Sequence, residues 1–330
     1  MSKNINRRDL GLAAVTLALL VLVSLRFSGF AKPANLLEVF DDTSILILLA
    51  LGQMSVLLTR SVDLSVASNV AFTGICVALL NQAFPDLSIA VIVLVSLLIG
   101  AALGALNGLL VWLLEMPSIV VTLGTMAIYR GFTFVLSKGA WVTSNEMTPA
   151  FQNAIHTRVL GLTTLSWLAI FAVIAAGFVL RFTSFGRRFY LAGGNPSAAS
   201  YVGVNVGKAQ FASFVISGVI AGLCGYLWVA RFAVAYTDVA LGFELQVIAA
   251  CVIGGVSIAG GIGTVAGVLI GCLFLGIIKN ALPLIGVSPF WQMAVSGVVI
   301  TLAVVLNARR EQSGGRQILE SQQGLEAQRT

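Results

Sequence analysis

The sequence predicts an all-α membrane protein that crosses the bilayer about ten times, and its composition and apolar stretches support this. Of its 330 residues, 58% are hydrophobic and only 10% are charged, and the mean hydropathy is +0.99. A soluble domain usually carries about 25% charged residues, so this chain has too few to cover a water-facing surface. The apolar residues also form long stretches, and a helix needs roughly 20 of them to cross a bilayer core.

Ten apolar stretches are candidate transmembrane helices. In chain order they are 10–27, 43–60, 64–81, 87–114, 117–137, 162–182, 209–232, 245–258, 262–282 and 290–307. The first has a basic start and small residues after its apolar part, as a signal peptide does, but its removal would break the inside–outside parity, so we expect it to be retained. The stretch 245–258 is short and precedes a glycine-rich break, so it is either a crossing or a broken, re-entrant element.

The positions of the basic residues predict that both termini are cytoplasmic. Cytoplasmic loops are enriched in Lys and Arg, and with the N-terminus inside, 12 of the 19 basic residues lie on that side. The outward loops then hold the acidic residues Glu38, Asp41, Asp42, Asp86, Glu146, Asp238 and Glu244. The net charge of +6 is therefore a signal of topology and not of nucleic-acid binding.

The predicted topology divides the chain into three parts. Residues 1–9 form a cytoplasmic segment, and 10–308 form a transmembrane domain that includes a polar cytoplasmic loop at 183–208. The polar, Gln-rich tail 309–330 is predicted to be disordered.

Glycines spaced four residues apart predict close helix packing. They occur as Gly100, Gly104 and Gly108, as Gly218 and Gly222, and as Gly263, Gly267 and Gly271. In lipid this spacing gives a helix face without side chains, which a second backbone can approach. Residues 98–110 and 268–282 also resemble each other, which is compatible with an internal repeat of the kind found in transporters.

Few polar side chains fall within the apolar stretches. The neutral amides Gln53, Asn69, Asn107 and Asn280 could line a path for a hydroxylated solute or only bridge helices. Arg130 and Lys279 could contact the solute, as ionisable groups within a membrane often do, but we expect them to anchor helix ends by extending their charged groups towards the interface. Arg60 and Asp63, three residues apart at a helix junction, are expected to pair with each other.

The chain lacks the motifs of an enzyme or a metal site. No series of acidic or His residues crosses the stretches as a proton relay would, and the single histidine, His156, has no carboxylate near it in sequence. The four cysteines are far apart and form no CxxC pair. GVNVGKA (203–209) fails the spacing of a phosphate-binding loop. We therefore expect no enzymatic activity, metal or cofactor in this chain.

The polar stretch GRRFYLAGGNPSAASYVGVNV (186–206) predicts a short helix. Asn195 can cap its start, Pro196 suits the first turn, and Gly203 suits the left-handed residue that ends it. The residues between are small except for Tyr201 and Val202, which we expect to be exposed. A short helix is unstable alone in water, so it either rests on its own protein or fills a groove in a partner.

Several long motifs in one order identify a resemblance to a known family over residues 40–307. They are VDLSVAS (62–68), MPSIVVTLGTMAIYRG (116–131), the polar loop, AACVIGGVSIAGGIGTVAGVLIG (249–271) and VSPFWQMAVSGVVI (287–300). The chain resembles the permease subunits of ATP-binding-cassette importers for monosaccharides, of the ribose, xylose and arabinose type.

The resemblance implies how the chain works and with which partners. The polar loop would seat in a cytoplasmic ATPase subunit, which binds the ATP and magnesium, through Gly194, Asn195, Pro196, Ala198, Ala199, Tyr201 and Gly203. A second permease subunit, identical or related, and a periplasmic sugar-binding protein would complete the importer in the bacterial inner membrane.

The sequence departs from the family pattern near its second candidate helix. Arg60 and Ser61 stand where the family usually has two glycines, and Ala67 stands where it has another. The charge before Asp63 and the GAWV stretch (139–142) are more similar to rhamnose and autoinducer-2 permeases. We therefore expect rhamnose as the solute, with autoinducer-2 or another sugar such as ribose as alternatives. A different class, an ion-coupled secondary sugar carrier, would need intramembrane acids.

Overall fold

The computed structural model describes residues 7–286 and, beyond them, positions 291, 294, 297, 298 and 301. The candidate helix 290–307, the motif at 287–300 and the predicted tail 309–330 thus lie wholly or largely outside the described residues. Twelve α-helices occur in the described part: α1 Arg7–Arg26, α2 Pro33–Leu58, α3 Val66–Ala83, α4 Ile89–Leu113, α5 Ser118–Ser137, α6 Pro149–Asn153, α7 Thr164–Phe182, α8 Ser184–Gly194, α9 Pro196–Tyr201, α10 Val206–Phe232, α11 Phe243–Ile253 and α12 Val265–Ala281.

The prediction of an all-α, multi-pass membrane protein is confirmed. Within the described residues, seven helical segments are long and apolar enough to cross a membrane. They are α1, α3, α4, α5, α7, α10 and Val265–Ile285, which joins α12 to a 3₁₀ turn at Leu282–Ile285. The described strands are two-residue pieces in two antiparallel pairs, namely β1 Val142–Thr143 with β4 Val234–Ala235, and β2 Arg158–Val159 with β3 Leu162–Thr163.

The core of the protein is built around α2, α3 and α10. The predicted stretch 43–60 forms the second half of α2, which begins ten residues earlier with Pro33 in its first turn. Ile47, Met54 and Leu57 in this half are fully buried. A helix that is apolar on all sides is stable only when other elements surround it, and α3 and α10 supply much of that cover.

The stretch 245–258 is a broken element, one of the two alternatives that the sequence left open. Helix α11 has 11 residues, about 16 Å at 1.5 Å per residue, which is too short to cross a bilayer core of about 30 Å. The chain continues as a glycine-rich loop, 254–264, whose backbone groups find partners: the N–H of Ser257 donates to Ile262 (2.9 Å) and that of Gly261 to the Leu58 carbonyl (3.0 Å).

The glycine tracts pack closely as predicted, except that Gly263 lies in the loop before α12, where an added Cβ would meet the Val256 side chain. A Cβ on Gly100 would overlap the carbonyl oxygen of Gly218 and lie 2.6 Å from Cα of Gly222, so α4 and α10 touch through their backbones. A Cβ on Gly267 would overlap the carbonyl oxygen of Gly254, which brings α12 against the end of α11. The internal repeat of 98–110 and 268–282 stays a prediction.

Two ends of the helical body matter for function. One end, which we call the α9 end, is formed by five parts of the chain that lie together: the end of α2, the α4–α5 connection, α8, α9 and the loop 254–264. Arg8 at the start of α1 reaches it too, because its Nη1 donates to the Gly255 carbonyl (3.3 Å). The two strand pairs and α6 lie at the opposite end.

Candidate functional site

Helix α9 forms as its sequence predicts. The Asn195 side chain accepts a hydrogen bond from the Ala198 N–H (3.0 Å), and Pro196 occupies the first turn. At the other end Gly203 has a φ of 79°, and its N–H donates to the Ser200 carbonyl (3.0 Å). The backbone groups at both ends of this six-residue helix are therefore capped within the chain.

The exposed side of α9 differs in one respect from the sequence interpretation. Tyr201 and Val202 are 92% and 70% exposed and point away from the body, as expected. Gly194, Asn195, Ala198 and Gly203 are exposed as well, and Pro196 is half-buried. Ala199, however, is only 1% exposed, so its side chain faces its own protein and is not available to a partner.

Removal of the Asn195 cap tests whether α9 depends on it. The change Asn195→Ala leaves the Ala198 N–H without its side-chain acceptor and is expected to destabilise the helix by about 1 kcal/mol. Amide hydrogen exchange at residues 198–203 should become faster, while exchange in α10 stays as in the wild type. Unchanged exchange at 198–203 would show that contacts with the body, and not the cap, hold α9.

Glycines dock the α8–α9 segment onto the body. A Cβ on Gly193 would overlap the carbonyl oxygen of Leu58, the last residue of α2. A Cβ on Gly261 would lie 2.6 Å from the nitrogen of Gly194. The end of α8 therefore touches both α2 and the loop 254–264 backbone to backbone.

Two side chains strengthen this junction. The Tyr190 hydroxyl donates to the Gly263 carbonyl (3.0 Å), and burial raises the pKa of Tyr190. Arg60 Nε donates to the Ala259 carbonyl (2.8 Å). Both hydrogen bonds end on the loop 254–264, so α8, the end of α2 and this loop form one connected unit.

The four amides predicted to line a path do not lie together. Gln53, Asn69 and Asn107 are buried near the start of α3, whereas Asn280 lies on α12 and donates to the Gly276 carbonyl of its own helix (3.0 Å). The Gln53 amide pairs with the backbone of Asp63 (3.1 and 3.2 Å). Asn69 lies 3.5 Å from the Gly100 carbonyl and accepts from the Thr73 hydroxyl. In the observed arrangement these amides bridge parts of the chain.

Asp63 is the centre of a buried polar cluster that the sequence interpretation missed. Its carboxylate accepts from the Ser65 hydroxyl (2.7 Å) and N–H (2.9 Å), and from the Ser217 hydroxyl on α10 (3.2 Å). Asn107 donates to the Ser65 hydroxyl (2.8 Å), and the Tyr129 hydroxyl lies 3.3 Å from the Asn107 amide oxygen. Burial raises the pKa of Asp63, which lies in the α2–α3 connection, and the hydrogen bonds partly offset this.

The predicted Arg60–Asp63 pair is wrong. Arg60 follows the end of α2 in the left-handed region (φ 65°) and is exposed, while Asp63 is 2% exposed. The turn between them sends the arginine towards the loop 254–264 and the carboxylate towards α10. The rule that side chains three residues apart face each other holds only within a helix, and residues 60–65 are not helical.

At the opposite end, an ion-pair network joins α2 to α10. Arg231 pairs with both Asp41 and Asp42, and Asp41 also accepts from the hydroxyls of Thr163 and Ser166. Arg130 donates to the carbonyls of Thr237 (2.5 Å) and Val239 (3.0 Å). It therefore anchors α5 to the segment that precedes α11. Lys279 lies 5.9 Å from the centre of the Phe243 ring.

The described part of the chain holds no group of three or more His, Cys, Asp or Glu that could bind a metal ion. Its cysteines are all unpaired thiols, and three of the four, Cys224, Cys251 and Cys272, are buried.

Known proteins resemble this chain over most of its length. A family model described as "Branched-chain amino acid transport system / permease component" matches residues 35–304. The "Autoinducer 2 import system permease protein LsrC" of Photorhabdus luminescens is 32% identical over 306 residues, which are 92% of this chain and 91% of that protein. The "Ribose import permease protein RbsC" of Escherichia coli strain K12 is 36% identical over 297 residues, 89% of this chain and 92% of that protein. No solved structure matches the chain.

Proposed function

Because the chain belongs to the family of branched-chain amino acid transport system permease components, we propose that it is the membrane subunit of an ATP-binding-cassette importer for a monosaccharide or a solute of similar size. It makes and breaks no bond itself. ATP and magnesium bind to separate ATPase subunits on the cytoplasmic side, and a binding protein delivers the solute from the periplasm. A second permease subunit completes the path across the bacterial inner membrane.

The exposed end of α9 is the observation that carries this proposal. Two apolar side chains, Tyr201 and Val202, extend from a capped helix that rests on the body through Ala199. We assign the α9 end to the cytoplasm, since it contains Arg60, Arg187, Arg188 and Lys208. Tyr201 and Val202 then enter a groove of the ATPase. Movement of the ATPase is transmitted through Gly193 and Tyr190 to α2 and the loop 254–264.

Which solute the importer carries is a separate question from its class. The names of LsrC and RbsC indicate autoinducer 2 and ribose for those relatives. The charge before Asp63 and the stretch 139–142 are more similar to rhamnose and autoinducer-2 permeases. We propose these three as the candidate solutes, and competition among them for uptake by the assembled importer would decide which one is transported.

Aspartates at the tip of α9 test the coupling role. The double change Tyr201→Asp and Val202→Asp places two charges where an apolar contact with the ATPase is proposed, and it leaves the buried Ala199 untouched. We expect ATP-dependent uptake to fall at least about tenfold, since the lost apolar contact exceeds 1.4 kcal/mol, while the yield of folded permease is retained. Uptake and co-purification with the ATPase subunit are the measurements.

A matched control is available at the opposite end. Leu160 is 89% exposed, so Leu160→Asp makes a similar change of polarity on a surface that the ATPase does not reach. Normal uptake by the Tyr201/Val202 variant, or equal loss in both variants, would contradict the coupling role of α9.

One observation favours a second candidate, an ion-coupled sugar carrier. Asp63 is a buried carboxylate with hydroxyl and amide neighbours, and carriers of that class use buried acids to bind protons or sodium. Uptake by the purified chain alone in vesicles, driven by a proton or sodium gradient and abolished by Asp63→Asn, would decide for it. We favour the importer, because every carboxylate oxygen of Asp63 already accepts a hydrogen bond within the chain.

A further inference from the structure

A cavity of about 800 Å³ opens beside α9. One wall is the end of α4 and the α4–α5 connection, residues 111–118, and the facing wall is the α9–α10 connection and the first turns of α10. Arg60 and Ser61, at the end of α2, close the third side. Pockets of roughly 300–1,000 Å³ are the usual size of small-molecule sites, so the cavity is large enough for a sugar.

Two opposite charges line this cavity, and both stand on unusual backbone. Arg60 has a φ of 65° and Glu115 a φ of 51°, each just after the end of a helix. Glycine commonly occupies such positions because it enters the left-handed region without strain. Strained non-glycine residues cluster at ligand-binding sites, and here both project a charged side chain towards the same space.

The charges are available to a ligand. Arg60 Nε donates to the Ala259 carbonyl (2.8 Å), and in the described part of the chain the other guanidinium nitrogens have no hydrogen-bond partner. The Glu115 carboxylate has neither a hydrogen bond nor an ion pair with any described residue. A cation and an anion that do not pair with each other offer both donors and acceptors to one bound molecule.

The remaining lining suits a hydroxylated solute. Seven of the 15 lining residues carry a polar or charged side chain, among them Ser118, Asn205 and Gln210. Trp112 adds an aromatic wall: it packs over Gly207, where a Cβ would lie 2.5 Å from the indole nitrogen, and against the Phe211 ring (5.7 Å between centres). A sugar presents hydroxyl groups at its edge and C–H groups on its faces, and this mixture of amides, charges and one aromatic wall complements both.

We propose that this cavity binds the imported sugar after its release into the cytoplasm, and that its occupancy slows further import. This inference rests on the proposed function. The cavity lies between the α4–α5 connection and the segment that joins α9 to α10, and Arg60 on its third side is hydrogen-bonded to the loop 254–264. A ligand that bridges these walls therefore holds α9 against the body and opposes the movement that transport requires.

Import into vesicles that already contain the sugar tests the inference. The permease is reconstituted with its ATPase and binding protein, with ATP inside and labelled D-ribose, L-rhamnose or autoinducer 2 outside. The lumen is either free of sugar or loaded with the unlabelled form of whichever compound is taken up. We expect luminal sugar to lower the initial rate of uptake in the wild type.

Two lining variants and one control locate the effect. Glu115→Gln is expected to raise the luminal concentration needed for half-inhibition by about tenfold, the effect of losing one hydrogen bond to a charged group. Trp112→Phe is expected to raise it as well, because the smaller ring leaves part of the aromatic wall open. Asp86→Asn removes an exposed charge at the opposite end and should leave that concentration unchanged. Each variant is compared with itself in empty vesicles, so that the ratio of loaded to empty rates is the readout.

The outcomes separate the two proposals. No ATP-dependent uptake of any of the three compounds would contradict the proposed function. Uptake at equal rates into loaded and empty vesicles, or equal inhibition in the wild type and both lining variants, would overturn the cavity assignment alone.

A labelling experiment identifies the occupant directly. Met116 lines the cavity and is 38% exposed, so Met116→Cys offers a thiol there, and Leu160→Cys offers one at the opposite end. Protection of the Met116→Cys thiol by the transported sugar, in permease without ATPase, supports the inference. Protection by the ATPase subunit and not by sugar would show that the cavity is a protein-docking groove and would overturn it.

Discussion

Replacement of Gly218 by leucine is expected to prevent the chain from folding. Gly218 lies where α10 crosses α4, and even a Cβ there would overlap the carbonyl oxygen of Gly100 and lie 2.7 Å from Cα of Gly104. Neither contact can be relieved by rotating a side chain, because both involve backbone atoms. Overpacking usually costs about 1–3 kcal/mol, and a four-carbon side chain at a backbone contact lies at or beyond the upper end of that range.

The measurement is the yield of monodisperse permease in detergent, followed by its apparent Tm. A suitable control is Gly131→Leu in α5, because Gly131 is exposed and no atom lies within 4 Å of its added Cβ. Leucine is favourable on an apolar membrane surface, so this variant should keep the yield and Tm of the wild type. A folded Gly218→Leu protein with an unchanged Tm would mean that α4 and α10 do not pack as closely as observed.

The features that the sequence predicted correctly are those that depend on local chemistry. Asn195, Pro196 and Gly203 define α9 because a cap, a first-turn proline and a left-handed glycine each act within a few residues. The glycine spacing in α4 and in α10 also predicts that each helix can be approached closely by another backbone, but it does not say that the two helices are partners of each other. The sequence allows 245–258 to be either a crossing or a broken element, and the structure decides for the break, because the backbone groups of the loop 254–264 find partners within the chain.

The missed features depend on partners that are distant in sequence. Ser217 reaches Asp63 across 154 residues, and Arg231 reaches Asp41 across 190. No local pattern marks either contact. The spacing of three predicts that Arg60 and Asp63 pair, but that rule holds only within a helix. Ala199 illustrates the same limit, because the face of a six-residue helix that becomes buried depends on how the body receives it.

Replacement of Gly193 by alanine is expected to uncouple ATP hydrolysis from transport. The added Cβ would overlap the Leu58 carbonyl oxygen and lie 2.8 Å from the nitrogen of Gly261. Since the Gly261 N–H also donates to the Leu58 carbonyl (3.0 Å), one methyl group forces apart three pieces of backbone. A cost of about 1–3 kcal/mol corresponds to a loss of about 5- to 150-fold in the docked arrangement of α8.

Uptake and ATP hydrolysis by the assembled importer, measured side by side, test this expectation. Uptake should fall by that factor, whereas co-purification of the ATPase should persist, because Tyr201 and Val202 still extend from α9. Gly177→Ala in α7 is the matched control, since no atom lies within 4 Å of its added Cβ. The two sets of variants therefore stop the importer in different ways. Aspartates at positions 201 and 202 prevent the ATPase from binding. Alanine at position 193 leaves the ATPase bound and disrupts the docking of α8 onto α2 and the loop 254–264. Loss of ATPase binding in the Gly193→Ala variant would show that docking onto α2 shapes the exposed face of α9 and does not only transmit its movement.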